Sequence, residues 1–284
     1  ETTIAALEAK ITAFETCSAT PTTPTPQLIW SESSSTLPFA FAGAASVTFL
    51  DGGILSIGGG GNADVYSFAP GSTTAMLVAQ STYTAREGHC AVRLLNTDNV
   101  AVIGGRSESG TYLNDVLLST DRGATFTLAS TSVFPNGGVE EFGCVSTGPT
   151  ELIVFGGRKG TNYHNIVRRS TDGGRTWTTL RADGGDGGEC ASSDEMWSRR
   201  SGFSFAYMPT LGRIVLTDGY DSASGAMQDV YFSDDGGTCW SQAATDTNGP
   251  ASRCVSLVCL LFVPLSSLLT FPLSLASFFS RAPF

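Results

Sequence analysis

Between residues 38 and 250 the chain repeats one pattern, a short apolar run that ends on paired glycines. It reads ILSIGG at 54–59, VAVIGG at 100–105 and LIVFGG at 152–157, with the variant RIVLTDG at 213–219. Positions 58, 104, 156 and 218 are therefore equivalent, at intervals of 46, 52 and 62 residues. Runs such as Val100–Ile103 and Glu151–Phe155 are β-branched and apolar, as buried strands require. The glycines mark a tight exit that needs permissive backbone angles. A second β-rich run follows each one: DVYS, DVLLS, IVRRS and DVYFS. Each unit predicts four strands, and repetition at this period predicts a propeller or another repeat array.

A second signature trails each run. Ser119, Asp121, Gly123, Thr125 and Phe126 match Ser170, Asp172, Gly174, Thr176 and Trp177. The third copy is Ser233, Asp235, Gly237, Cys239 and Trp240, with Cys in place of Thr. A worn copy keeps Ser67, Gly71 and Thr73 but has Ala69 where the Asp belongs. In S-x-D-x-G-x-T-W the carboxylate accepts backbone N–H groups within a turn, and the Gly supplies positive φ. The aromatic residue then packs in the next strand. Asp121, Asp172 and Asp235 are accordingly read as structural.

These residues resemble a known family. S-x-D-x-G-x-T-W is similar to the Asp-box, or BNR, repeat of sialidases and of many non-enzymatic propellers. The Gly pair followed by Asn114-Asp115-Val116, or by Gln228-Asp229-Val230, is similar to kelch repeats. The resemblance covers about 210 residues and implies an all-β propeller of four-stranded blades. Four full blades are expected within 28–253, closed by an outer strand from PQLIW around Trp30. Gly249–Arg253 reads as the start of a fifth blade, so the propeller is expected to be truncated.

The flanking segments differ. Residues 1–17 place Ile4, Leu7, Ile11 and Phe14 on one face of a short amphipathic helix. Residues 18–27 form a Thr/Pro linker, extended and semi-rigid. Residues 254–284 carry no charge from Cys254 to Ser280, enough to span a bilayer. Yet Phe, Leu, Ser and Pro, whose codons include all-pyrimidine ones, supply 22 of these 31 residues. The tail is either a membrane segment or anchor, or translated polypyrimidine sequence. The first residue is Glu, so the chain is expected to be processed or a fragment.

A net charge of −10, from 16 Lys+Arg against 26 Asp+Glu, argues against a nucleic-acid partner, whose phosphates need a basic footprint. The seven cysteines include no C-x-x-C pair, which leaves isolated bridges and free buried thiols both open.

In propellers of the resembled kind, ligands meet the loops between strands 2 and 3 and between blades, opposite the Asp boxes. The 2–3 loops here are 106–114, 158–165 and 220–228. Arg106, Arg158 and Tyr220 follow the Gly pairs, and Tyr112, Tyr163 and His164 add stacking and hydrogen-bonding groups. Arg86 and Arg200 precede the first strands and complete the ligand-binding candidates. Between the third and fourth blades, Asp183, Asp186 and Glu189 are candidates for calcium, an ion that takes oxygen ligands; no other cofactor is expected. The expected function is a non-catalytic module that recognises a glycan or protein at the cell surface or outside the cell. A membrane would be a partner only if the tail is genuine, and the oligomeric state stays open.

Two alternatives are a membrane-tethered scaffold and a sialidase-like glycoside hydrolase with part of its site in further blades. The second needs an arginine cluster, a Tyr/Glu nucleophile pair and an acid. Arg86, Arg200 and Glu140-Glu141 offer an Arg/Glu mixture near the first strands. However, no Arg-Ile-Pro motif precedes them, and no catalytic residue is assigned. A copper centre with two His and two Tyr ligands is poorly served by His89 and His164 on separate blades.

Overall fold

A computed structural model describes residues 42–80, 83–185, 190 and 196–243. The amphipathic helix, the linker, Trp30, Arg253 and the hydrophobic tail of the sequence reading lie outside these residues. Within them the chain is all-β, four antiparallel four-stranded sheets arranged as a four-blade β-propeller.

The first blade comprises β1 (Ala45–Thr48), β2 (Ile54–Gly59), β3 (Asn62–Phe68) and β4 (Ala75–Gln80). A two-residue strand β5 (Arg86–Glu87) leads into the second blade, β6 (Cys90–Arg93) and β7 (Val100–Ile103). There β8 (Arg106–Ser107) turns back to pair with β5 before β9 (Val116–Ser119) and β10 (Thr127–Ser130) complete the sheet. The third blade is β11 (Gly143–Ser146), β12 (Leu152–Phe155), the ribbon β13 (Arg158–Lys159)–β14 (Asn162–Tyr163), then β15 (Val167–Ser170) and β16 (Thr178–Arg181). The fourth repeats that plan with β17 (Ser204–Met208), β18 (Arg213–Thr217), the ribbon β19 (Tyr220–Asp221)–β20 (Gly225–Ala226), β21 (Val230–Ser233) and β22 (Ser241–Gln242). First strands neighbour one another in the order β1, β6, β11, β17.

The core lies between blades. Leu55, Ile57 and Val65 of the first blade pack with Val100, Val102 and Leu117 of the second. Ala101 and Ile103 then meet Leu152 and Val154, while Ile153 and Phe155 meet Ile214 and Leu216. Both faces of β7 and β12 are thus buried, which is why those strands are continuous apolar runs rather than alternating ones.

The Gly pairs are required by this packing, beyond the sharp exit that the sequence suggested. In the second, third and fourth blades the residue entering the first strand is wedged between glycines of two blades. A Cβ on Gly58 would lie 3.1 Å from His89 Cε1, one on Gly104 3.0 Å from Phe142 Cε1, and one on Gly156 2.6 Å from Phe203 Cε1. From the other side, a Cβ on Gly105 or Gly157 would come within 2.6 or 2.7 Å of the Cβ of His89 or Phe142. Approaches this close leave no room for a side chain.

The S-x-D-x-G-x-T turns form as read. Asp121 Oδ1 accepts from Thr125 N–H (2.9 Å) and Oδ2 from the Thr125 hydroxyl (2.6 Å), while Ser119 Oγ accepts from Gly123 N–H (2.8 Å). Asp172 repeats this arrangement with Thr176 at the same distances. Asp235 accepts from Cys239 N–H (2.9 Å). Trp177 and Trp240 each donate the indole N–H to the turn glycine, Gly174 or Gly237, at 3.0 Å. A Cβ on Gly123 would meet Leu55 Cδ2 at 2.6 Å, and one on Gly174 would meet Val116 Cγ1 at 2.8 Å. Each turn therefore seats against the core of the preceding blade.

Two disulfides decide the open cysteine question for four of the seven. Cys90 of β6 joins Cys144 of β11, linking adjacent first strands. Cys190 joins Cys239, the residue that replaces Thr in the third turn.

Candidate functional site on the strand 2–3 loop face

Arg86 and Arg200, expected on the ligand surface, are fully buried. Arg86 forms a fork with Asp115, Nη1 to Oδ1 at 2.7 Å and Nη2 to Oδ2 at 2.8 Å, and Nη1 also donates to the Gly104 carbonyl. Arg200 holds Asp229 and the Asp218 carbonyl in the same way. These are internal struts. In the third blade the equivalent positions are Val139 and Ile166, both buried in the apolar core. An ion pair in two blades is thus replaced by an apolar pair in a third.

The loop ribbons position the other candidates. Glu87 pairs with Arg106 across β5–β8, Glu140 bridges to Arg158, and Ser201 bridges to Tyr220. Equivalent positions of three blades thereby gather on one face. Arg106 Nη2 reaches Glu87 Oε1 at 3.1 Å, and its Nε lies 3.7 Å from Glu140 Oε2 in the next blade. Arg158 donates from Nε and Nη2 to the two Glu141 oxygens at 2.8 and 2.9 Å, and Nη2 lies 2.9 Å from Glu140 Oε1. Glu141 also accepts from Ser201 Oγ of the fourth blade at 2.9 Å. Three carboxylates thus face two guanidinium groups.

The two adjacent glutamates are driven in opposite directions. Burial pushes the Glu140 carboxyl above the ordinary range, Arg158 opposes this, and the Glu141 charge adds to it. Burial acts on Glu141 too, but the Arg158 and Ser201 hydrogen bonds override it and hold the carboxyl low. Glu141 also has φ of 55°, where Gly88 and Gly202 stand in the neighbouring blades. A non-glycine residue in this region carries strain.

Around this belt stand three tyrosines. Tyr220 is 49% exposed. Its ring meets that of Tyr163 edge-on at 6.1 Å between centroids. Tyr112 Oη accepts from Gly160 N–H at 2.8 Å, tying the second blade's loop to the third's. Arg106, Tyr112, Arg158, Tyr163 and Tyr220 therefore share one face. Glu87 and Ser201, which sequence reasoning did not single out, join them; their signal was the position directly before the glycine, Gly88 or Gly202, that leads into a first strand.

His164 is placed elsewhere in the network. Its Nδ1 lies 3.0 Å from Asp183 Oδ2, and Asp183 Oδ1 accepts from Asn165 N–H at 3.0 Å. Arg199 Nε stands 3.4 Å from the same carboxylate. Asn165 in turn accepts from Gly184 N–H and donates to the Trp197 carbonyl. Asp183 thus anchors the connection between the third and fourth blades, where the described residues around its carboxylate are donors: His164, Asn165 N–H and Arg199. Asp186 and Glu189 lie outside the described residues, and among those residues no group of three or more His, Cys, Asp or Glu side chains is placed to hold a metal ion.

Compared with known protein families and with curated proteins, the chain matches none of them.

Proposed function

We propose that the chain is a non-catalytic binding propeller of the kelch/Asp-box kind, acting outside the cell or at its surface, whose strand 2–3 loops recognise a glycan. The observation that carries this reading is the loop face itself. Exposed Tyr220, with Tyr163 edge-on to it, and Tyr112 on the second blade's loop of the same face offer flat apolar surface for sugar rings, and tyrosines with arginines are favoured where binding energy concentrates. The Arg106–Glu87–Glu140 and Arg158–Glu141 pairs supply hydrogen-bonding groups already held in place, so little ordering cost accompanies binding. Two disulfides favour an oxidising compartment.

A sialidase-like hydrolase fits less well, because Arg86 and Arg200 are engaged by Asp115 and Asp229 and expose nothing to a substrate carboxylate. What keeps that alternative in play is the Glu140–Glu141 pair, whose carboxyls are pushed apart as acid/base pairs are. A glycan array followed by calorimetry tests the main reading. Binding of a glycan, weakened at least tenfold by Tyr220→Ala, is the expected result. Retention of no glycan, or turnover of a fluorogenic sialoside, would overturn it.

A further inference from the structure

Four residues in the left-handed region stand at equivalent positions, one per blade: Gly43 (φ 70°), Gly88 (59°), Glu141 (55°) and Gly202 (63°). Their backbones form a row across the blades. Gly88 N–H donates to the Gly43 carbonyl at 3.1 Å, Glu141 N–H to the Gly88 carbonyl at 2.8 Å, and Gly202 N–H to the Glu141 carbonyl at 3.1 Å. Among the described residues nothing joins Gly43 N–H to the Gly202 carbonyl. The row therefore ends in a donor on the first blade and an acceptor on the fourth.

The sheet faces at those two ends are only half covered. Whereas β7 and β12 are buried at every position, β2 buries Leu55 and Ile57 but only half-buries Ile54 and Ser56. In β18, Ile214 and Leu216 are buried while Val215 and Thr217 are half-buried. Ile54 and Ser56 are equivalent to Val100 and Val102, which pack on the preceding blade; Val215 and Thr217 are equivalent to Ala101 and Ile103, which pack on the following one. Register sets Phe68 beside Ile54 and Phe232 beside Val215, so both half-covered faces carry aromatic and β-branched groups.

The wedge residues differ at the same two ends. Each internal junction sets a glycine (Gly58, Gly104 or Gly156) against a ring (His89, Phe142 or Phe203). The fourth blade has Asp218, at φ 63°, where the glycine belongs, and the first blade has Ala44 in place of the ring. One end thus carries a larger residue than the internal junctions do and the other a smaller one.

We propose that these ends meet between two copies of this chain, the fourth blade of each against the first blade of the other. Head-to-tail contact continues the donor–acceptor row, whereas first blade on first blade would oppose two donors. It also sets Asp218 against Ala44, restoring in exchanged form the large–small fit of the internal junctions. A heterologous contact closes into a ring when the rotation permits, and two copies of the four described blades give eight, within the range of four to eight blades typical of propellers.

Light scattering with size-exclusion chromatography on the full chain tests this. The expected mass is that of two chains. Val215→Arg and Ile54→Arg should each give a single chain, and an equimolar mixture of the two should recover a dimer, since one intact contact remains between them. Ala44→Phe should also dissociate the dimer, and the Ala44→Phe/Asp218→Gly double variant, which rebuilds an internal-type junction, should restore it. Unchanged tryptophan fluorescence from Trp197 and Trp240 certifies that each variant is folded. A wild-type chain that stays single at all accessible concentrations would overturn the proposal, because its ends are then covered by its own residues or by another protein. A dimer that survives Val215→Arg would overturn it too, because its contact does not use the fourth blade.

Discussion

Replacing His89 by Phe should remove most of the acid sensitivity of the fold between pH 6.5 and 4.5. His89 is wedged between Gly58 and Gly105 and is 7% exposed. Burial, with the Arg86 charge adding to it, lowers its pKa from 6.5 to about 3, and the Ile57 backbone offsets little of this. Across that interval the unfolded chain binds a proton that the folded chain refuses, so stability is complete above pH 6.5 and falls as the pH drops. One such group removes up to about 1.4 kcal/mol per pH unit, or about 2–3 kcal/mol by pH 4.5. The low-lying carboxylates act in a separate window. Asp172, held at about 2 by its Thr176 and Ser170 hydrogen bonds against the effect of burial, contributes stability that is lost only below its ordinary value of 3.8. Glu140, raised above 4.5, works in the opposite sense to His89, and comparing wild type with the variant cancels it. Phe is the residue at the same position in the third and fourth blades, so the substitution is sterically mild. Any packing cost is constant with pH. Urea unfolding followed by tryptophan fluorescence, at a series of pH values from about 7 to about 4.5, reads the difference. If His89→Phe keeps the full wild-type slope, the burial argument is wrong.

Gly123→Ala should lower stability by about 1–3 kcal/mol, since its Cβ would meet Leu55 at positive φ, whereas Gly71→Ala, at φ of 71° in open space, should cost only about 1 kcal/mol; paired urea midpoints check both. Arg200→Met should cost about 1–3 kcal/mol by leaving the half-buried Asp229 carboxylate and the Asp218 carbonyl without their donor, whereas Arg213→Ala, which breaks a surface pair with Asp234, should cost at most about 1 kcal/mol. Asp172→Ala should cost about 1–3 kcal/mol by orphaning the turn donors, and thermal unfolding of the variant measures it.

The repeat was legible because each blade obeys the same local rules. Apolar runs, Gly pairs and S-x-D-x-G-x-T turns are short-range patterns, and the Asp121, Asp172 and Asp235 networks close within five residues. Blade count and strand order within the described residues follow from them. Less of the loop face was legible. Arg106, Arg158 and Tyr220 were found from their place after the Gly pairs. Arg86 and Arg200 were misplaced, because exposure depends on what covers a side chain. Their separation of 29 residues from Asp115 and Asp229 in both blades, and the loss of both charges together in the third, was the signal that would have placed them as struts.

The chain's own pattern determined an all-β, four-stranded repeat, since turns and alternation act over a few residues. Only the tertiary structure decided which arginines face solvent, which carboxyl of Glu140 and Glu141 is pushed up, and that Cys190 finds Cys239. Those outcomes depend on groups tens of residues apart meeting at blade junctions, where burial and charge act through space and not along the chain.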